Sequence, residues 1–415
     1  MIKTGKWIVC RFPVFFLRTG KESAILYAVS RKKAVVRKPK IKKKTDYYDY
    51  SLLAVIILLT CFGLVMLYST SSYMAELNYG DDMYYFKKQA AISLACIIAA
   101  LAISKIDYHM LTRFTGVIYG VAAVLMLLVK TPLGRSANGA RRWLDLGPLS
   151  FQPSELAKIA VIVCLSYMIV NMGRKIGTLK GFMMLAGSGG ALAFITYVFT
   201  DNLSTAIIIF GITIGLIFIA HPKVRPFLIA AGILLVVAIV AISFLSATME
   251  TSSSFRLRRI LVWLHPEDYA SGDGYQTIQA LYAIGSGGFL GRGLGNSIQK
   301  LGSVPEAQND MIFSIICEEL GLTGAVAVLV IFGLLIWRLM VIATWTKDLF
   351  GALLAAGVMG HIMIQVILNV AVVTNTIPNT GITLPFVSYG GTSVVFLLLE
   401  MGIALSVSRG VRKEH

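Results

Sequence analysis

Charge is scarce in this sequence, and negative charge is scarcer still. Charged residues make up 14% of the 415, with 21 Asp and Glu against 38 Lys and Arg, while 56% are apolar. A soluble chain of this length could not hide so much apolar surface behind so few charges. The five cysteines offer no disulfide framework: Cys61, Cys96, Cys164 and Cys317 fall in apolar runs and Cys10 in the amino-terminal tail. They read as small packing residues. No GK[ST] follows the glycines at 285–295 and no strand precedes them, which excludes a phosphate loop and a dinucleotide fingerprint. The stretch WIVCRFPVFFL (7–17) is too short to span a membrane, is broken by Arg11 and Pro13, and lacks a small-residue cleavage site. The first long apolar run is therefore expected to act as the insertion signal.

What the sequence does have is apolar runs long enough, at roughly 18 or more residues, to cross a hydrocarbon core as helices. Ten spans are expected, near 51–70, 88–104, 111–129, 155–171, 182–199, 203–220, 226–246, 311–337, 351–372 and 391–408. The fold class is an all-α polytopic membrane protein with about ten transmembrane helices and a large extracytoplasmic loop, 248–309, between the seventh and eighth. An even count puts both termini on one side. Fourteen of the 38 basic residues lie in residues 1–50, notably RKKAVVRKPKIKKK at 31–44. Residues 1–45 read as a disordered basic cytoplasmic tail near anionic headgroups, 46–410 as the membrane domain and 411–415 as a second cytoplasmic tail. With the termini inside, the loops on that side, the tails and Arg113 hold 26 of the 38 basic residues, as the positive-inside rule requires. The net charge of +17 raises nucleic acid as a partner, but no recognition fold accompanies the basic block.

Two outer loops stand out. KTPLGRSANGARRWLDLGPLSFQPSELAK (130–158) carries Lys130, Arg135, Arg141 and Arg142 on the translocated side, against the charge rule. Arginine suits phosphate because its planar fork donates paired hydrogen bonds. Arg142 and Trp143 are the residues there that read as functional, although a lone tryptophan also serves as an interface anchor. The next helix has a legible start: Pro153 at its first position and Glu155 in its first turn. Lys158, one turn in, either snorkels outward or needs an anion, from another span or from a ligand phosphate. The loop 248–309 holds FRLRR (255–259), with Arg256, Arg258 and Arg259, then a short amphipathic helix expected at 275–284 and a glycine-rich stretch.

VPEAQNDMIFSIICEELG (304–321) contains four of the 21 carboxylates at the mouth of an apolar run. If a helix begins near Asp310, then Ser314, Cys317 and Glu318 share its face as a polar stripe reaching about 12 Å inward, at 1.5 Å per residue. Asp310 is then either a reacting group or a helix N-terminal carboxylate. Glu318 reads as a buried structural partner, with Lys158 as its candidate counter-ion, while Glu319 turns by roughly 100° toward another neighbour. Asp201, in TDNLSTA, either lines the same outer cavity or is a connector carboxylate. The loop TNTIPNTGITLPFVSYGGTS (374–393) carries no charge and reads as a re-entrant turn packed within the protein. Glu400, deep in the last span, requires a partner.

RWLDLGPLSFQPSELAK, GSGGFLGRGLGNSIQK, VPEAQNDMIFSIICEELG and NTGITLPFVSYGGTS together resemble the signature blocks of the SEDS family (shape, elongation, division and sporulation). The resemblance covers nearly all of residues 46–410 and is nearer to the division and sporulation branch. It implies a ten-helix peptidoglycan glycosyltransferase, inverting at the anomeric carbon, that polymerises lipid II on the outer face of the bacterial cytoplasmic membrane and releases undecaprenyl pyrophosphate. It also implies a class B penicillin-binding transpeptidase as partner, alongside other division or sporulation membrane proteins. The family's essential aspartate maps onto Asp310 within Pro305–Glu306–Ala307, its Arg-Trp pair onto Arg142 and Trp143, and its QPSELxK lysine onto Lys158. Gln308–Asn309 stand where the family commonly has His-Thr. Under this resemblance Asp310 is a base or a ligand to magnesium or manganese, and Arg142, Lys158 and the arginines of 256–259 bind pyrophosphate. Two other classes remain as alternatives: a flippase moving lipid II between leaflets, which would also use a polar cavity, and a scaffold recruiting the transpeptidase, for which cavity substitutions would be silent. A flippase needs access from both leaflets, whereas the charged and glycine-rich features here gather on one expected face.

Overall fold

The computed structural model describes residues 48–137, 140–146, 149–248, 255–272 and 274–411. The basic tail read at 1–45 lies outside them, as do 412–415. Among the described residues, nine helices are long and apolar enough to cross a membrane: α1 (Tyr50–Tyr79), α2 (Tyr84–Ile103), α3 (Met110–Leu128), α4 (Pro153–Met172), α5 (Leu179–Phe199), α6 (Leu203–Ala220), α10 (Ile312–Trp345), α11 (Leu349–Val373) and α12 (Gly391–Ser408). The expected seventh span coincides with α7 (Arg225–Thr248), whose 24 residues make about 36 Å of helix, though its described apolar part runs only over Arg225–Leu234. Between α7 and α10 come α8 (Phe255–Leu264) and α9 (Tyr275–Gly287), the latter where a short helix was expected.

Helix ends follow local chemistry. Pro153 occupies the first turn of α4, and the break between α5 and α6 falls where Asn202 caps α6 by accepting from Thr205 N–H at 3.0 Å. α1 continues nine residues past its expected end, through a run of hydroxyl side chains. Thr70 and Ser71 satisfy their hydroxyls by donating back to Leu67 O, and Gly80 stops the helix in the left-handed region at φ 67°. α4, α11 and α12 form the centre, with more than half of each span enclosed by protein. Small residues allow this closeness: a Cβ on Gly357 of α11 would lie 2.7 Å from Ile162 of α4.

Two features depart from the sequence reading. The 130–158 loop is a three-stranded antiparallel sheet of β1 (Gly134–Ala137), β2 (Ala140–Leu146) and β3 (Leu149–Phe151), with Arg135 opposite Trp143 and Leu144 opposite Phe151. Strands this short, cut by Gly and Pro, leave little alternation to read. The second is that α10 is not continuous: Gly321 takes φ 67°, ψ −169° within it. The break frees backbone groups that a bilayer could not satisfy. The glycine-rich loop satisfies them, Arg292 and Gly293 N–H donating to Glu318 and Glu319 O at 3.0 and 2.9 Å, and Leu322 and Thr323 N–H donating to Gly288 and Phe289 O at 2.9 and 3.1 Å. A Cβ on Gly321 would sit 2.3 Å from Gly291 N. Gly321→Ala is therefore expected to lose about 2–3 kcal/mol from strain and overpacking. Thermal unfolding in detergent reads this, and an unchanged midpoint would mean that the loop yields freely.

Candidate active site

Asp310 does not begin the helix. Glu306 adopts φ +53°, Asn309 N–H closes a turn on Glu306 O at 2.9 Å, and Met311 is the N-terminal boundary residue of α10. Asp310 thus projects from a turn at the outer end of α10 and is half-buried. The expected stripe is corrected accordingly: Ser314 and Glu318 are fully buried, and the Ser314 hydroxyl donates to Met311 O at 2.7 Å instead of lining a cavity. Burial pushes the Asp310 carboxyl up to about 6, helped by Glu306; backbone amides of Asp310 and Met311 and the Arg259 guanidinium pull the other way. Gly381, at φ +68°, comes close enough that a Cβ there would lie 3.7 Å from Asp310 Oδ2.

Arg259 faces this carboxylate, and Arg142, from a separate element, neighbours Arg259. Arg259 of α8 donates to Asn379 O at 3.3 Å. Arg142 of β2 donates to Asp201 O at 3.3 Å, and its buried Nε has no hydrogen-bond partner among the described residues. Burial and the neighbouring Arg259 hold the Arg142 guanidinium below its ordinary value, with Asp201 acting in the opposite direction. Two like charges held close in a half-buried setting are what a multiply charged phosphate neutralises. The two-residue period of β2 turns Arg142 inward with Leu144, 1% exposed, and puts Trp143 on the other face. Asp201 itself pairs with Lys130, at 2.8 Å, on the rim. Pro305 and Glu306 are exposed beside Asp310, and the side chains of Arg256 and Arg258 lie outside those described. A cavity of about 260 Å³ opens here, lined by Arg259, Trp263, Tyr275, Gln276, Asn375 and Asn379.

Lys158 sits elsewhere. It is 2% exposed, 3.0 Å from Glu155 Oε2 and donates to Gln365 Oε1 at 3.3 Å. Its anion is the carboxylate one turn back on its own helix, so the expected pairing with Glu318 does not occur. Glu318 instead accepts from the Ser297 hydroxyl and from Ile298 N–H at 3.1 Å, with Arg292 at 3.6 Å. Glu319, rotated away as expected, pairs with Lys300 at 2.8 Å. Glu400 has its partner in His361, whose Nδ1 lies 2.7 Å from Oε2. Sequence reasoning missed His361, Gln365 and Asn369. Their spacing of four along an apolar span was the available signal, since it draws one polar stripe down α11.

Among the described residues no three His, Cys, Asp or Glu side chains converge as a metal cage. The donor set at the site is Asp310 with Glu306, two hard oxygen ligands of the number magnesium takes when substrate phosphates complete its shell.

Known proteins share this sequence and architecture. Stage V sporulation protein E of Bacillus subtilis (strain 168) is 36% identical over 88% of this chain and 98% of its own length. A protein described as a probable peptidoglycan glycosyltransferase FtsW, from Trichlorobacter lovleyi, is 36% identical over 91% of this chain and 97% of its own. A solved peptidoglycan synthase complex that coordinates polymerization and crosslinking contains a chain that superimposes with TM-score 0.72 at 25% identity, covering 87% of this chain and 98% of that one. The family model for FtsW, RodA and SpoVE, described as cell cycle proteins, matches residues 49–413. This chain belongs to the FtsW/RodA/SpoVE family.

Proposed function

We infer that this chain is a peptidoglycan glycosyltransferase that polymerises lipid II into glycan strands on the outer face of the bacterial cytoplasmic membrane during division or sporulation. The observation that carries the assignment is Asp310, a carboxylate raised to about 6, within electrostatic reach of Arg259, which in turn neighbours Arg142. Extending a strand requires a sugar hydroxyl to attack an anomeric carbon as the carbon–oxygen bond to undecaprenyl pyrophosphate breaks. A hydroxyl is a weak nucleophile, so Asp310 takes its proton as the new bond forms. A base with a value of about 6 is ionised at neutral pH yet holds a proton better than an ordinary aspartate. Arg142 and Arg259 neutralise the charge gathering on the departing diphosphate, and the unpartnered Nε of Arg142 is a donor free for it. A single displacement of this kind inverts the anomeric centre. The cavity of about 260 Å³ beside Arg259 offers aromatic and amide side chains of the sort that hold sugars. A divalent cation arriving with the diphosphate would be held by Asp310 and Glu306 and would share the neutralising task, with Asp310 then its ligand instead of the base.

The membrane orientation that supports this puts both termini in the cytoplasm, where 26 of the 38 basic residues then lie. A class B penicillin-binding transpeptidase is the proposed partner, since a new strand needs crosslinking and a similar chain is solved within a peptidoglycan synthase complex. Lipid II supplied in detergent micelles tests the function. Polymer forming there, where no second leaflet exists, is the expected outcome. Its absence, with transfer across vesicle bilayers instead, would favour a flippase.

A further inference from the structure

Three consecutive carbonyls of the turn that carries Asp310 are each held by α11 or by the connection that follows it. Gln308 O accepts from Tyr389 N–H at 2.9 Å, Asn309 O from the Ser388 hydroxyl at 2.6 Å and Asp310 O from Asn369 Nδ2 at 2.8 Å. Asn369 uses the same amide nitrogen toward Ile382 O at 2.7 Å, and Ser388 Oγ also accepts from Leu384 N–H at 2.8 Å. The orientation of the Asn369 amide is fixed by chemistry: both neighbours are carbonyls, so the nitrogen must face them. Asn369 is fully buried and Ser388 is 4% exposed. One turn down α11, Gln365 Nε2 donates to Thr383 O at 3.1 Å, and its oxygen faces Lys158 and His361 Nε2, at 2.8 Å. A ladder of amides on α11 thus grips the uncharged connection at Ile382–Thr383. Asn369 and that connection grip the turn in their turn.

The Asp310 carboxylate accepts from the amides of Asp310 and Met311, its own chain. Its direction therefore follows the turn, and a rotation of the turn rotates the carboxylate with it. We propose that Asn369 and Ser388 are positioning residues for Asp310, and that the uncharged 374–390 connection is a clamp which sets where the reacting carboxylate points. This assignment rests on Asp310 being the proton acceptor. It explains why so long a loop carries no charge: a carboxylate or ammonium placed against these carbonyls would compete for them or add to the field at Asp310. A misplacement of about 1 Å at a reacting group can cost roughly a hundredfold in rate, so hydrogen bonds to backbone carbonyls are a sufficient means of control.

The test is steady-state polymerisation of lipid II by the full chain together with its transpeptidase partner. Variants are Ser388→Ala, Ser388→Thr, Asn369→Ala and Asp310→Asn, each checked for a folded melting profile. Ser388→Ala and Asn369→Ala are expected to lower kcat by about tenfold to a hundredfold with KM little changed. Ser388→Thr, which keeps the hydroxyl, is expected to restore most of the rate. Should Asn369→Ala fail to fold, the Ser388 pair decides alone. Alanine variants with the parent kcat, or a Ser388→Thr variant no faster than Ser388→Ala, overturn the clamp while an inactive Asp310→Asn leaves the base in place. Full activity in Asp310→Asn overturns both.

Discussion

Asp310→Asn is expected to cut glycan-strand synthesis from lipid II by about 10²–10⁴-fold, the range a general base contributes. The substitution is nearly isosteric and keeps the Asp310 carbonyl that Asn369 holds, so folding and partner binding should survive. What it removes is the ability to accept a proton. In the parent enzyme the same group sets the acid limb: with the carboxyl raised to about 6, activity should fall as pH drops through that value, because the protonated acid accepts nothing. Stability should run the other way. A carboxyl whose folded value lies above its ordinary one binds its proton more tightly when folded, so its ionised form is a cost at neutral pH that fades as pH falls through about 6. Asn carries no such cost. The variant should therefore be more stable than the parent near neutrality, on the order of 1 kcal/mol once its partial access to water is allowed for, and the two should converge well below 6. Melting in detergent at two pH values measures this. A variant that polymerises at the parent rate would remove Asp310 from the chemistry.

The membrane class was legible because long apolar runs report burial in lipid directly, and most helix boundaries fell near the expected residues. Asp310 and Arg142 stood out in the sequence, each being a charge that a translocated loop or span mouth has no structural need for, while Arg259 stood out only as one of the three arginines of 255–259. What escaped was pairing. Nothing local to Lys158 or Glu318 says which anion or cation lies opposite; Glu155 and Ser297 were chosen by packing. The break in α10 escaped as well, since Gly321 reads like any glycine in a transmembrane helix until the loop that satisfies its freed neighbours is seen beside it. The roles of Asn369 and Ser388 escaped for a related reason, although the spacing of Asn369 from Gln365 and His361 marked it as polar. They act on main-chain carbonyls, which every sequence supplies everywhere.

The four carboxylates of residues 304–321 divide by depth, and the deeper pair makes the second large prediction. Lys300 is 7% exposed and Glu319 fully buried, with Nζ 2.8 Å from Oε1. Lys300 also donates to Gly295 O at 2.7 Å and Ser69 Oγ at 3.0 Å, while the Ser69 hydroxyl donates to Glu319. The pair ties the glycine-rich loop to α1 and to the last turn of α10 before its break. A buried ion pair offers little over apolar packing when both partners are present, but removing one strands the other. Lys300→Met should thus cost about 3–5 kcal/mol, because Glu319 would be left charged and enclosed with only Ser69 to meet it. Replacing both, as Lys300→Met with Glu319→Leu, should recover most of that loss, since neither charge then needs a partner. Unfolding midpoints of the two variants and the parent in one detergent separate the outcomes. A single variant as stable as the parent would mean that water reaches Glu319. A double variant as weak as the single would mean that the loop is held by the pair's geometry and not by the neutralisation of charge.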